Sequence, residues 1–592
     1  MYRSMLNGLR AFVLLGWSLF LPALAAQDAA ESGRLHALFD AHWAESMRIY
    51  PEWATYVGEH RYGERLFDAS PEGRAAEFTR ARSAVAQARA LRREALAPQD
   101  QTSLDIFILQ QEETLLFEPF VGFRSISLGA LGGFHSGFAD LLQASPVDNR
   151  GQVEQMLARM ATYPKRVDQE LVVLREGASL RWVPPRTVLE RVLAQIDGQL
   201  TTDIDKSPFF EPFTRLGKDI PAAEQDELRA RGRRAIAGSV LPAQRRLRAF
   251  VAGEYLPLAP ASGALSSYPD GAQVYAAQVQ QYTTTSLTPA AVHAIGQREL
   301  TRLRGEMEAV MKTMKFEGDF AAFVRYLNSD PKFFHTSPEA LLAGYRDIAK
   351  RLDPELPKLF VDLPRAPYGV RAMPAHFGSD RAEFYNRPSF DGTRPGWFNA
   401  NALAYRKRPI WGMESLVAHE AVPGHHLQNA RALELGELPR FRRGGGYTVY
   451  GEGWALYAET LGFDLGLYQD PASRFGHLQW QAFRAARLVV DTGLHAMGWS
   501  RQQAIDFMVE RTGVEPLFVT SEVDRYLSDP GQALAYMIGQ LKILELRDRA
   551  KARLGERFDI RQFHKVVLDQ GSVPLPVLER AVDGWIAAGA RP

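Results

Sequence analysis

The sequence predicts a mainly α-helical protein carrying one small β-sheet, on three observations. From about Ser32 to Ala252, segments such as GRAAEFTRARSAVAQARALRREAL and SLDIFILQQEETLLF repeat apolar residues at three- and four-residue spacing, the period of a helix with one buried face. Between Leu359 and Ile410 the texture changes to short apolar or aromatic runs, KLFVDLP, YGVRAMP, AEFYNRP and GWFNANALAY, bounded by Pro, Gly and Asp. These read as strands and turns, with a long irregular surface loop as the alternative. From about Met413 to the end the helical period returns.

At the N-terminus, MYRSMLNGLR supplies two arginines, an apolar run AFVLLGWSLFLPALA follows, and Ala23-Leu24-Ala25 is a small-x-small cleavage site. Residues 1–25 are therefore read as a signal peptide, and the mature chain is expected to be periplasmic or secreted. The run is short for a spanning helix, and no later segment is long and apolar enough, so no membrane insertion of the mature chain is expected. A helical region follows over 27–256, with helix ends at VDNRGQ and WVPPRT. The turn-rich stretch PLAPASGALSSYPDGAQ leads into a second region, 273–592. The two are expected to form one two-lobed unit around a cleft, with the sheet just ahead of a histidine cluster.

Composition narrows the chemistry. Of 592 residues 46% are hydrophobic, ample for a large core, and the net charge of +1 gives no reason to expect a nucleic-acid partner. Cysteine is absent, which excludes disulfides, thiolate metal sites, iron–sulfur clusters and cysteine nucleophiles. Any metal must be held by His, Asp and Glu.

The stretch HEAVPGHH, His419 to His426, gathers three of the thirteen histidines beside a glutamate. In the zinc motif H-E-x-x-H the histidines lie one helical turn apart, about 6 Å along the axis, so both reach one zinc. The glutamate beside the first, here Glu420, can then activate the attacking water. In this chain Pro423 occupies the place of the second histidine. In a regular helix His425 would be rotated roughly 240° away from His419, and His426 would lie about 10.5 Å along the axis. Neither position suits a shared ion. Pro423 and Gly424 offer a local bulge that returns His425 to the effective i+4 position. His419 and His425 are thus the preferred ligands and His426 the rival; under the preferred reading His426 is substrate-facing or supports a ligand. The third ligand is expected from YGEGWALYAET, where Glu452 and Glu459 share a helix face and Gly453 permits close helix approach. Glu452 is the expected ligand and Glu459 a hydrogen-bond partner for a ligand histidine.

Further along, Arg484, Arg487, Asp491 and His495 form one polar stripe on an apolar helix, either a solvated face or a groove wall. In the groove reading Arg484 and Arg487 bind substrate, Arg487 through a carboxylate, and His495 donates to the transition state. In SDPGQALAY, Asp529 and Pro530 read as the cap and first residue of a helix that carries Tyr536 among apolar neighbours. The strand RPGWFNANAL is expected along the cleft, where it could pair with an extended peptide.

HEAVPGHHLQ, EGWALYAE and the upstream YNRPSFDGTRPGWFNAN resemble the bacterial family catalogued as domain of unknown function 885, from MRIYPEWATYVGEH onward. At one remove the pattern is similar to helical gluzincin peptidases: carboxypeptidase Taq, thimet oligopeptidase and angiotensin-converting enzyme. The resemblance implies a helical zincin-like metallopeptidase fold with the sheet beside the active-site cleft. It implies one zinc ion held by His419, His425 and Glu452, with Glu420 as base and Tyr536 and His495 stabilising the oxyanion. The expected activity is hydrolysis of small peptides or amides. The alternatives are hydrolysis of a non-peptide amide or ester, or a non-catalytic binding protein with a structural metal.

Overall fold

Helix ends here are set by local chemistry, and helix faces by two large apolar cores. The computed structural model describes residues 28–129, 132–374, 382–389, 394–436, 438–444 and 446–589; the segment read as a signal peptide lies outside them. The protein is mainly α. In the N-terminal region, helix α1 (Arg150–Ser179) starts at a capping box, where Asn149 accepts from the Gln152 amide and the Gln152 side chain reaches back to Asn149. Helix α2 (Arg186–Gln199) follows Pro185. Both bury one face in a core that includes Met160, Tyr163, Val192 and Phe213.

A second, larger core begins near Leu265 and runs to Trp585, and it also takes Ile106 and Trp182 from the N-terminal region. It is built on α3 (Pro289–Thr313), α4 (Met413–Glu420), α5 (His425–Glu434), α6 (Thr448–Leu461), α7 (Pro471–Ala496), α8 (Pro516–Ser528) and α9 (Ala535–Leu554). Asp470 caps α7 through the amides of Ala472 and Ser473. From Phe475 to His495 almost every residue of α7 is buried. Its polar side chains therefore need protein partners or a cavity. Where α6 crosses α9, a Cβ on Gly453 would fall 2.5 Å from the Gly539 Cα, so the two backbones meet at glycines.

The sheet has three strands: β1 (Tyr368–Ala372), β2 (Phe384–Asn386) and β3 (Gly396–Ala400). β3 is central, parallel to β1 and antiparallel to β2. Two expectations change here. KLFVDLP is not a strand: the adjacent Leu359 and Phe360 both turn inward, Phe360 against Trp454 and His564, while Val361 and Leu363 stay exposed, so no alternating face exists to pair. The strand expected to offer an edge along the cleft, within RPGWFNANAL, is β3, and both its edges are occupied. The edge strands are β1 and β2, and β2 is the one whose residues reach the cleft. A third correction concerns Asp529, which ends α8 rather than capping the next helix; Gly531 (φ 87°) reverses the chain before α9 begins at Ala535. Asp529 instead accepts from the Tyr282 hydroxyl.

Candidate metal centre

His419 closes α4 and His425 opens α5. The expected bulge inside one helix is instead a break between two. After Glu420 the chain leaves helical dihedrals at Ala421, passes a cis Val422–Pro423 bond, and re-enters a helix after Gly424. The turn folds back onto the end of α4: a Cβ at Gly424 would lie 2.0 Å from the His419 carbonyl oxygen, so only glycine fits. The Trp454 indole donates to the Pro423 carbonyl at 2.9 Å and ties the turn to α6.

This geometry brings the two imidazoles together, with ring centroids 4.8 Å apart and planes at 86°. Glu452 on α6 meets both. Its Oε2 lies 3.5 Å from His419 Nε2 and 3.3 Å from His425 Nε2, and one donor atom from each of the three residues falls within 4.8 Å of the others. That Oε2 is buried and has no hydrogen-bond partner. A carboxylate oxygen facing two imidazole nitrogens with no hydrogen bond fits a shared cation, and the N/N/O donor set suits zinc with one position left open. Burial works against ionising Glu452, but the adjacent His425 and His419 hold its carboxyl well below the usual range.

Glu459, one helical face with Glu452, orients the first ligand. It accepts from His419 Nδ1–H at 2.8 Å, from the Ser415 hydroxyl at 2.6 Å and from the Gln481 amide at 3.4 Å. Nδ1 thus carries the proton and the Nε2 lone pair is turned toward Glu452. Burial opposes a charge on His419, yet Glu452 and Glu459 raise its pKa. Glu420 points into the same cavity, and burial pushes its carboxyl up to about 8. A divalent cation at the triad would favour its ionised form.

The site opens into a cavity of about 620 Å³ whose wall includes His419, Glu420, His425, Glu452, Arg484, Arg487 and Tyr536, with Phe384 and Tyr385 of β2 on one side. Arg191 of α2 reaches the same wall, so the N-terminal region covers part of the cleft.

Two predicted residues lie elsewhere than expected. His426 does not face substrate: it is buried, its Nε2–H donates to the Ala366 carbonyl at 3.0 Å, and its Nδ1 accepts from the Tyr385 hydroxyl at 2.9 Å. Burial lowers its pKa to about 4, and with both nitrogens engaged it holds Tyr385 in the cavity wall. His495 is absent from that wall. It is fully buried, with Nδ1 accepting from the Leu265 amide and Nε2–H donating to the Tyr526 carbonyl, both at 3.0 Å. It has no nitrogen left to give to a transition state.

The two arginines differ. Arg487 donates to Glu522 at 2.7 Å and to the Tyr526 hydroxyl at 3.0 Å, and its guanidinium lies 4.4 Å from the Tyr536 ring centroid. Among the described residues Arg484 has no carboxylate in ion-pair contact, and its Nε and Nη1 are buried without acceptors. Burial, and then the charge of Arg487, lower its pKa. Sequence reading missed Tyr385, Arg191 and Glu522. Tyr385 stands inside YNRPSF, a stretch already singled out, but its role depends on β2 being the edge strand at the cleft; nothing local marks the other two.

The family described as bacterial protein of unknown function (DUF885) matches residues 51–582. No curated protein matches the chain. Among solved structures, the "putative lipoprotein" of Colwellia psychrerythraea is 28% identical, with a TM-score of 0.86 over 94% of this chain and 99% of that one. The "putative lipoprotein of unknown function" of Shewanella oneidensis is 18% identical, with a TM-score of 0.74 over 92% and 98%. A "putative oligoendopeptidase F" of Bacillus anthracis str. Ames is 13% identical at a TM-score of 0.32, covering 88% and 94%.

Proposed function

The chain belongs to the bacterial family DUF885, and from the geometry of its buried triad we propose that it is a zinc-dependent hydrolase of small peptides, acting outside the cytoplasm. The observation that carries the reading is Glu452 Oε2, buried without a partner between the Nε2 atoms of His419 and His425, with Glu420 beside them. The residues fit a divalent ion: His419, His425 and Glu452 would hold it, and Glu459 would fix the first imidazole. When bound, zinc supplies Lewis acidity that polarises a substrate carbonyl and makes water acidic. Glu420 takes a proton from the attacking water and passes it to the leaving nitrogen as the carbon–nitrogen bond breaks. Tyr536, on the cavity wall, donates to the developing oxyanion. β2, an edge strand beside the cavity, could pair with an extended peptide, which suits a peptide better than a compact ester or amide.

Two supports favour an extracytoplasmic location: the arginine-flanked apolar run in residues 1–25, and the description of the Colwellia relative as a lipoprotein. No helix among the described residues is long and apolar enough to cross a membrane.

Metal analysis of the purified chain and of Glu420→Gln tests the reading. Both are expected to carry one zinc per chain, while the variant loses peptide hydrolysis by a factor of roughly 10² or more. A chain that takes up no stoichiometric metal after zinc supplementation would sink it.

A further inference from the structure

We infer that Arg484 anchors a substrate carboxylate, so that the protein shortens peptides from a free C-terminal end. The inference rests on the hydrolase reading above. Arg484 is buried (7% exposed) yet makes no hydrogen bond or ion pair among the described residues, and its Nε and Nη1 have no acceptor there. Its guanidinium is packed by Trp480 and Phe483, whose ring centroids lie 4.8 and 5.5 Å away. Aromatic packing holds the planar group in place with Nε and Nη1 sealed inside, and Nη2 is the nitrogen left to reach the cavity, where it can donate a charge-assisted hydrogen bond to a carboxylate.

Arg487 shows the contrast. Both arginines line the same cavity, and Glu522 on that wall forms an ion pair with Arg487. Among the described residues no carboxylate forms an ion pair with Arg484; Glu459 and Glu452 act on it only through space. An unpaired buried cation is costly, and a ligand of opposite charge offsets that cost.

Position links the anchor to the chemistry. Gln481, one turn before Arg484 on α7, donates to Glu459, which holds His419. Arg484 therefore lies about 4.5 Å further along the helix axis than the residue supporting the first ligand. A second cavity, of about 400 Å³, shares His425 and Glu452 with the first and is lined by Gln428, Asn429 and Thr448. The triad stands where the two meet. A peptide whose carboxylate sits on Arg484 would place its C-terminal piece in the larger cavity and its acyl part in the smaller. Hydrolysis adds hydroxyl to the acyl carbon and hydrogen to the departing amine, which leaves with the anchored carboxylate.

The test uses the zinc-loaded full chain and an N-acetylated mixed-sequence pentapeptide library in two forms, C-terminal carboxylate and C-terminal carboxamide. The carboxylate form is expected to be cleaved about 100-fold faster in kcat/KM, with products that lack residues from the C-terminal end. The same preference should appear as tighter equilibrium binding to Glu420→Gln, which reads recognition without turnover. Arg484→Met should bring the carboxylate form down to the carboxamide rate, and Arg484→Lys should restore part of the difference. Arg484 has no hydrogen-bond or ion-pair partner among the described residues, and Met keeps an apolar stem against Trp480 and Phe483. Arg484→Met should therefore keep its zinc and its Tm; a fall in Tm would mark a structural arginine and overturn the inference. Equal cleavage or equal binding of the two forms would also overturn it while leaving the hydrolase reading intact. If neither form is cleaved and no zinc is bound, the underlying reading falls with it.

Discussion

Helix α7 separates two buried polar regions built from the same residue types. On one side, through Gln481 and Glu459, it supports His419, His425 and Glu452. On the other it carries Asp491 and His495. In the second region every demand is met: Asp491 accepts from the Tyr275 hydroxyl at 2.5 Å and the Gly531 amide at 3.0 Å, and both nitrogens of His495 bond to backbone. In the first region Glu452 Oε2 faces two imidazoles with no hydrogen bond, and Arg484 has no ion pair among the described residues. Satisfied groups hold the fold together; unsatisfied ones await something from outside. Type and spacing alone do not tell these apart, since His495 and His419 are equally buried histidines on apolar helices.

The largest expected effect separates the adjacent histidines. His425→Ala should lower zinc content to background, since it removes one of three ligands. His426→Ala should keep the zinc, because both nitrogens of His426 are engaged by Ala366 and Tyr385, and instead cost roughly 1–3 kcal/mol of stability through its lost hydrogen bonds. Elemental analysis with urea unfolding reads both. Zinc lost only in His426→Ala would reverse the assignment.

The ligand geometry was legible where the local sequence constrains it. Pro423-Gly424 signalled that the helix could not continue, and the i to i+7 spacing placed Glu452 and Glu459 on one face. The break into two helices was not legible, because it depends on Gly424 packing against the His419 carbonyl and on Trp454 reaching Pro423 from α6. The helical periods of the long segments held. The strands failed where, as in KLFVDLP, an apolar run lacked a neighbour to pair with. His495 was misread because its partners, Leu265 and Tyr526, are 230 and 31 residues away in sequence. Arg487 likewise draws on Glu522, 35 residues away.

A smaller effect should come from the link between α7 and the triad. Glu459→Gln keeps the shape but weakens the charge-assisted bond that sets the His419 tautomer. Zinc affinity is expected to fall by about 10–100-fold, with the ion still bound at high concentration. Competition with a chelator of known affinity measures it. Unchanged affinity would mean that His419 is oriented by packing alone.

The smallest effect belongs to the satisfied region and is a matter of pH. Burial raises the Asp491 carboxyl from an ordinary 3.8 to about 7, despite the hydrogen bonds from Tyr275 and Gly531 that favour its charged form. Over the interval between these values the native protein holds a proton that the unfolded chain has released. The native state thus binds more protons, and the stabilisation, full below about 4, is lost as pH rises through about 7. Asp491→Asn keeps an oxygen for Tyr275 and Gly531 and cannot titrate, so it removes this slope. Urea midpoints of the two zinc-loaded proteins between pH 5 and 8 should therefore drift apart, the wild type losing ground as pH rises by an amount on the order of a few kcal/mol at most. Parallel midpoints across that range would show that Asp491 is ionised when buried, and the region would then hold an unneutralised charge much as the region around Arg484 does.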